Sequence, residues 1–108
     1  AGELKHGPIA LIENGITVVG ILTDTTLFGK TISNIQEVIT RGASTLVITN
    51  QDIDTDDYTF VYKIPKTCEF LSPILSVVPL QLLAYNISMK KGLDVDKPRN
   101  LAKSVTVE

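Results

Sequence analysis

Tryptophan is absent from these 108 residues, and the aromatic complement is three Tyr and three Phe. So few flat rings argue against a base-stacking platform for nucleic acid. Formal net charge is −2, so no basic surplus exists to grip a phosphate backbone or an anionic membrane. Cys68 is the single cysteine, which excludes an internal disulfide and any multi-cysteine metal site. His6 is the single histidine, which excludes a multi-His metal site within the chain. No Gly-rich phosphate cradle occurs, and Gly15, Gly20 and Gly29 are too widely spaced for a dinucleotide fingerprint. Neither a cofactor nor a metal is expected. There is no initial Met and no apolar leader, so no signal peptide is expected. The longest apolar stretch, residues 74–85, is interrupted by Ser76, Pro79 and Gln81 and reads as too short to span a bilayer. A reducing, cytoplasmic setting fits a lone cysteine.

What is present is a globular composition. Apolar residues make up 44% of the chain, enough for a core and too much for disorder. The length fits one domain or part of one. Residues 16–22 form a nearly continuous β-branched apolar run entered through Asn14-Gly15, the pattern of a buried parallel strand. From about residue 26 to 41, Leu27, Phe28, Ile32, Ile35, Val38 and Ile39 fall on one helical stripe, and Gly42 is the expected stop. Residues 45–49 read as a second buried strand and residues 51–57 as a polar loop. Residues 60–64 read as a third, alternating strand ended by Pro65. This order predicts a right-handed crossover in a parallel α/β sheet. A last helix is expected from Ser72, read as its N-cap, with Pro73 at the first helical position and Gly92 just past Lys90 and Lys91. Pro79 should kink it or delay its regular start. The helix is apolar on most sides, so it is expected to bury against the sheet and a second element, a subunit interface. Residues 94–98 then lead away as an extended segment.

Two side chains carry most of the chemical interest. Lys103 stands alone among Ala102, Ser104, Val105 and Thr106. As a nucleophile it would attack a carbonyl carbon and form a Schiff base. That needs a neutral amine, and an ordinary Lys with pKa about 10.4 is neutral in roughly one copy in 2,500 at pH 7. Burial would raise that fraction several-hundred-fold for a drop of about three units. On composition alone, a solvated lysine is the commoner case. His6 suits a general acid–base near neutral pH, and a surface His beside a Gly-Pro turn is the plain alternative. Glu3, three residues earlier, either orients that imidazole or forms an exposed pair on a helical turn. The acidic group Asp52, Asp54, Asp56 and Asp57 lacks the Gly and the bidentate Glu of a calcium loop and reads as a solvated loop. Cys68 reads as structural.

Three blocks carry a family resemblance: AGELKHGPIALI at residues 1–12, VPLQLLAY at 78–85, and DVDKPRNLAKSVTVE at 94–108. They resemble the glucosamine-6-phosphate synthase (glutamine:fructose-6-phosphate amidotransferase) family. The match covers the C-terminal part of the second sugar-isomerase (SIS) subdomain, and the intervening elements match in order and length. The resemblance implies a parallel-sheet sandwich with flanking helices over residues 1–92 and a tail over 93–108 that closes the active site. It implies formation of glucosamine 6-phosphate from fructose 6-phosphate and glutamine, a step of amino-sugar biosynthesis. It also implies an N-terminal glutaminase domain elsewhere in the full chain, and a homodimer. Lys103 corresponds to the amine that engages C2 of the open-chain sugar. His6 corresponds to the ring-opening histidine, which reaches the adjoining subunit's site. Arg99 and Asn100 correspond to residues that position the tail, with Ala102 and Lys103 at the sugar. Leu101, Ala102 and Val105 correspond to the tail that lines the ammonia path.

The family's proton-shuttling Glu and its Ser/Thr phosphate loops would precede Ala1. This chain alone is therefore expected to be inactive. Asn86 stands where the family commonly has His, and Asn14-Gly15 where it commonly has Met-Pro. The alternative is a non-catalytic sugar-phosphate-binding or dimerisation SIS module. A deglycase of aminated sugar phosphates would be expected to lack the LAKSVTVE ending present here.

Overall fold

The computed structural model describes residues 2–97 and residue 99. Two 3-10 turns, Gly2–His6 and Pro8–Leu11, open the chain and are separated by Gly7 at φ +142°. There follow β1 (Thr17–Leu22), α1 (Phe28–Ile39), β2 (Ser44–Thr49) and β3 (Phe60–Lys63). A short 3-10 turn, Glu69–Leu71, then runs into α2 (Ser72–Lys90). The three strands form one sheet in the order β1-β2-β3, all parallel, with Gly20 opposite Val47 and Val47 opposite Val61. The α/β class and parallel topology expected from the apolar runs are therefore observed.

Packing on one face of the sheet explains α1. Its stripe puts Ile35 and Val38 against the strands, where both are buried. Ile35 joins Leu22 and Val47 in the core, with Phe28, Ile32, Ile39 and Val61 around them. The close approach requires Gly20: a Cβ there would lie 2.6 Å from Ile35 Cδ1. Start and stop are set by backbone chemistry. Asp24 Oδ1 accepts from the amides of Thr26 (2.7 Å) and Leu27 (3.0 Å), so the regular helix begins at Phe28, two residues later than expected. At the far end, Gly42 adopts φ +90° while its amide donates to Ile39 O and that of Ala43 to Val38 O. This paired closure is the glycine-terminated helix end, made with a residue free of left-handed strain. Gly92 closes α2 in the same way, through Gly92 to Met89 O and Leu93 to Ser88 O.

α2 departs from expectation at its start. Ser72 is its first residue rather than its cap, and Pro73 its second. The Ser72 hydroxyl donates backwards to Glu69 O at 2.9 Å, because the chain arrives through the preceding 3-10 turn. Pro79 lies within the helix, which continues past it to Lys90.

The whole helical run, Glu69–Lys90, is 22 residues long with mean hydropathy 1.5. By length and composition alone it reaches what a membrane crossing needs, which corrects the shorter limit set at residues 74–85. The sequence limit failed because Ser76, Pro79 and Gln81 interrupt the apolar run but not the helix. Apolar core helices pass the same test.

Candidate functional site

His6 ends the first 3-10 turn, and its placement follows from local rules. In a 3-10 turn side chains three residues apart eclipse one another. Glu3 and His6 are three apart, and His6 Nδ1 lies 2.9 Å from Glu3 Oε2. Both side chains are exposed, at 72% and 92%. The two alternatives for Glu3 thus coincide: it is an exposed pair on a turn, and it contacts the ring. Gly7 reverses the chain just after His6, and Pro8 starts the next turn.

The His6 turn is tied to the body of the molecule by a long-range ion pair. Lys5 Nζ sits 2.7 Å from Glu37 Oε1 on α1. Lys5, Lys30, Thr31 and Asn34 border an open groove of about 530 Å³ between the turn and α1. Sequence reasoning did not find Glu37, because a pairing across 32 positions leaves no local spacing signal.

The tail candidates divide. Arg99 is exposed and borders a shallow groove of about 740 Å³ at the C-terminal end of α2, with Tyr85, Ser88, Asp94 and Lys97. Asp94 Oδ1 accepts from the amides of Asp96 (2.9 Å) and Lys97 (3.1 Å), giving that exit segment a defined turn. Asn100, Leu101, Ala102, Lys103 and Val105 lie outside the described residues. Among the described residues, the groove beside Lys5 and the Arg99 groove share no lining residue, and His6 lines neither.

The C-terminal ends of the parallel strands, where open α/β sheets bind ligands, carry a polar set that sequence reasoning also passed over. Thr49 is fully buried, donates its hydroxyl to Leu22 O (2.8 Å) and accepts from the Gln51 amide (3.0 Å). Gln51 Nε2 donates to Asn50 Oδ1 at 2.7 Å. Asp52 pairs with Lys63 (3.1 Å) and Lys66 (3.6 Å). The hydrogen bond and charge of Lys63, then Lys66, hold its carboxyl below the usual carboxylate value. In the acidic loop, Asp54 Oδ1 caps the Asp56 amide at 3.1 Å. Burial, then Asp57 and Asp54, raise the Tyr58 phenol. Among the described residues no three His, Cys, Asp or Glu side chains come together as a metal would need. Cys68 is exposed, not the interior thiol a structural role would suggest.

Against known proteins, no family model matches the chain. Among curated sequences it is 57% identical to a glutamine–fructose-6-phosphate aminotransferase (isomerizing) of Clostridium tetani, across 100% of the chain. The Clostridium perfringens enzyme of the same name is 57% identical across 99% of the chain. That of the archaeon Thermococcus kodakarensis is 51% identical across all of it. In each case the chain spans 18% of the relative's length. Among solved structures it superposes on the C-terminal domain of the glucosamine-fructose-6-phosphate aminotransferase from Francisella tularensis. There the TM-score is 0.80 and identity 35%, over 89% of this chain and 28% of that one.

Proposed function

Because the chain belongs to the glutamine–fructose-6-phosphate aminotransferase family, we propose that it serves the isomerase half of an enzyme making glucosamine 6-phosphate from fructose 6-phosphate and glutamine. The observation that carries this reading is identity of 57% sustained over the whole chain. In it, residues 1–92 are the C-terminal portion of the second SIS subdomain and residues 93–108 the closing tail. The remainder of the parent, a glutaminase domain included, supplies ammonia and the rest of the site. The parent acts as a cytoplasmic homodimer without a cofactor, and the 108 residues alone do not turn over.

In this reading the family resemblance gives each residue a task. His6, reaching the adjoining subunit's site, moves the anomeric proton and opens the sugar ring. The neutral Lys103 amine then attacks C2 of the open-chain ketose, and the carbonyl oxygen departs as water to leave a Schiff base. Arg99 and Asn100 hold the tail, Ala102 and Lys103 meet the sugar, and Leu101, Ala102 and Val105 line the ammonia path. The exposed apolar sides of α2 fit this reading, since an interior or interface helix of a larger enzyme has that pattern. An intact His6 and Lys103 favour catalysis over a dimerisation module, which needs neither.

The test is synthesis of glucosamine 6-phosphate by the full-length parent, wild type against His6→Ala. The variant is expected to lose most of its rate on cyclic fructose 6-phosphate, about 10²-fold for a positioned acid–base, and far less on an open-chain analogue. Equal losses on both substrates would remove His6 from ring opening. A parent with no synthesis at all would leave a sugar-phosphate-binding module.

A further inference from the structure

The 3-10 turn places one carboxylate on the His6 ring and one ion pair beneath it. Nδ1 of His6 lies 2.9 Å from Glu3 Oε2, and the adjacent Lys5 is fastened to Glu37 of α1 at 2.7 Å. An ionised carboxylate has no proton to give. The proton in this hydrogen bond therefore belongs to Nδ1, whether the imidazole is neutral or charged. In the neutral ring that leaves the lone pair on Nε2, because the two nitrogens divide donor and acceptor roles between them. We propose that Glu3 is a positioning residue for His6: it fixes the ring with Nδ1 protonated and Nε2 free to take and return a proton. This rests on the reading of His6 as the ring-opening acid–base.

The local geometry gives the contact a fixed base. Eclipsed i,i+3 side chains are what a 3-10 turn offers and an α-helical turn does not. Gly7, at φ +142°, ends that turn straight after His6. The Lys5–Glu37 pair joins the turn to α1, whose Ile35 and Val38 are in the core. An exposed ion pair adds little to stability, so the consequence of this one lies in orientation.

The test uses the full-length parent, with His6 identified in ¹⁵N spectra by subtraction of His6→Asn. Wild type is expected to show the Nδ1-protonated tautomer at His6. Glu3→Gln keeps an acceptor oxygen and should keep that tautomer, whereas Glu3→Leu should lose it. On cyclic fructose 6-phosphate, Glu3→Leu should lower kcat about tenfold and Glu3→Gln within about twofold, a fraction of what a positioned acid–base contributes. KM should stay near wild type in both. A purely structural role for Glu3 would leave the tautomer unmoved, so an unchanged ¹⁵N signature in Glu3→Leu overturns the proposal even where His6→Asn is inactive. Equal kinetic losses in the Leu and Gln variants overturn it as well. A fully active His6→Asn overturns the reading of His6 and the proposal together, and that pattern differs from the other two.

Discussion

The two helices of this chain share a sheet and differ in how much of themselves they bury. α1 puts Ile35 at 5% exposure and Val38 at 0% against β1 and β2. α2 is longer and more apolar, yet the residues it buries are Ser72 and Ser76. Its Ile74, Val78, Leu82, Tyr85 and Met89 all remain about half exposed or more. The sheet repeats the contrast. Gly20, Leu22 and Val47 face α1; on the opposite side Ile48 is buried, while Val19, Ile21, Phe60 and Tyr62 around it stay exposed. The α1 side is a finished core. The α2 side has the composition of an interior without the neighbours, as suits a chain spanning 18% of its relatives' length.

Substitutions on the two sides should measure that difference. Leu22→Ala, in the finished core, is expected to destabilise the 108-residue chain most, by about 2–5 kcal/mol. Denaturant unfolding would read it. Gly42→Ala comes next, at about 1–2 kcal/mol, because an L side chain is strained in the left-handed region. Its Cβ would also overlap the Asn14 side chain. Leu82→Ala, on α2, should stay within about 0.5 kcal/mol and become costly only in the full-length parent. Equal costs for Leu22→Ala and Leu82→Ala in this chain would erase the distinction between the faces.

The smallest effect concerns pH. The folded-state value of Asp52 is depressed by Lys63 and Lys66. Its contribution is therefore present above the unfolded carboxylate value and is lost as pH falls through the lowered folded value. The whole group is exposed, so acid unfolding of Asp52→Asn should differ from wild type only slightly, and only in that acidic window. A difference persisting unchanged below it would assign the effect to something other than this carboxylate.

Much of the fold could be read from residue patterns, because its determinants are local. The β-branched runs around Val18 and Val47 became β1 and β2. The stripe through Ile32, Ile35 and Val38 became α1, and Gly42 and Gly92 stopped the helices where a left-handed residue was needed. Ser72 misled because a serine before proline has the composition of a cap, while the entering 3-10 turn offers its hydroxyl the Glu69 carbonyl instead. The Lys5–Glu37 pair was illegible for a different reason: it depends on how the first turn lies on α1, a tertiary fact. The candidacy of His6 rests on its GELKHGP context rather than on spacing. That of Lys103 rests on the tail block alone, and Lys103 lies outside the described residues.

The most direct measurement is the rate of glucosamine 6-phosphate formation by the full-length parent, wild type against Lys103→Arg. Arg keeps the charge but cannot lose its proton to become a nucleophile. Synthesis should fall to background in the variant while its unfolding midpoint stays at the wild-type value. Synthesis at the wild-type rate in a folded Lys103→Arg parent would contradict the account.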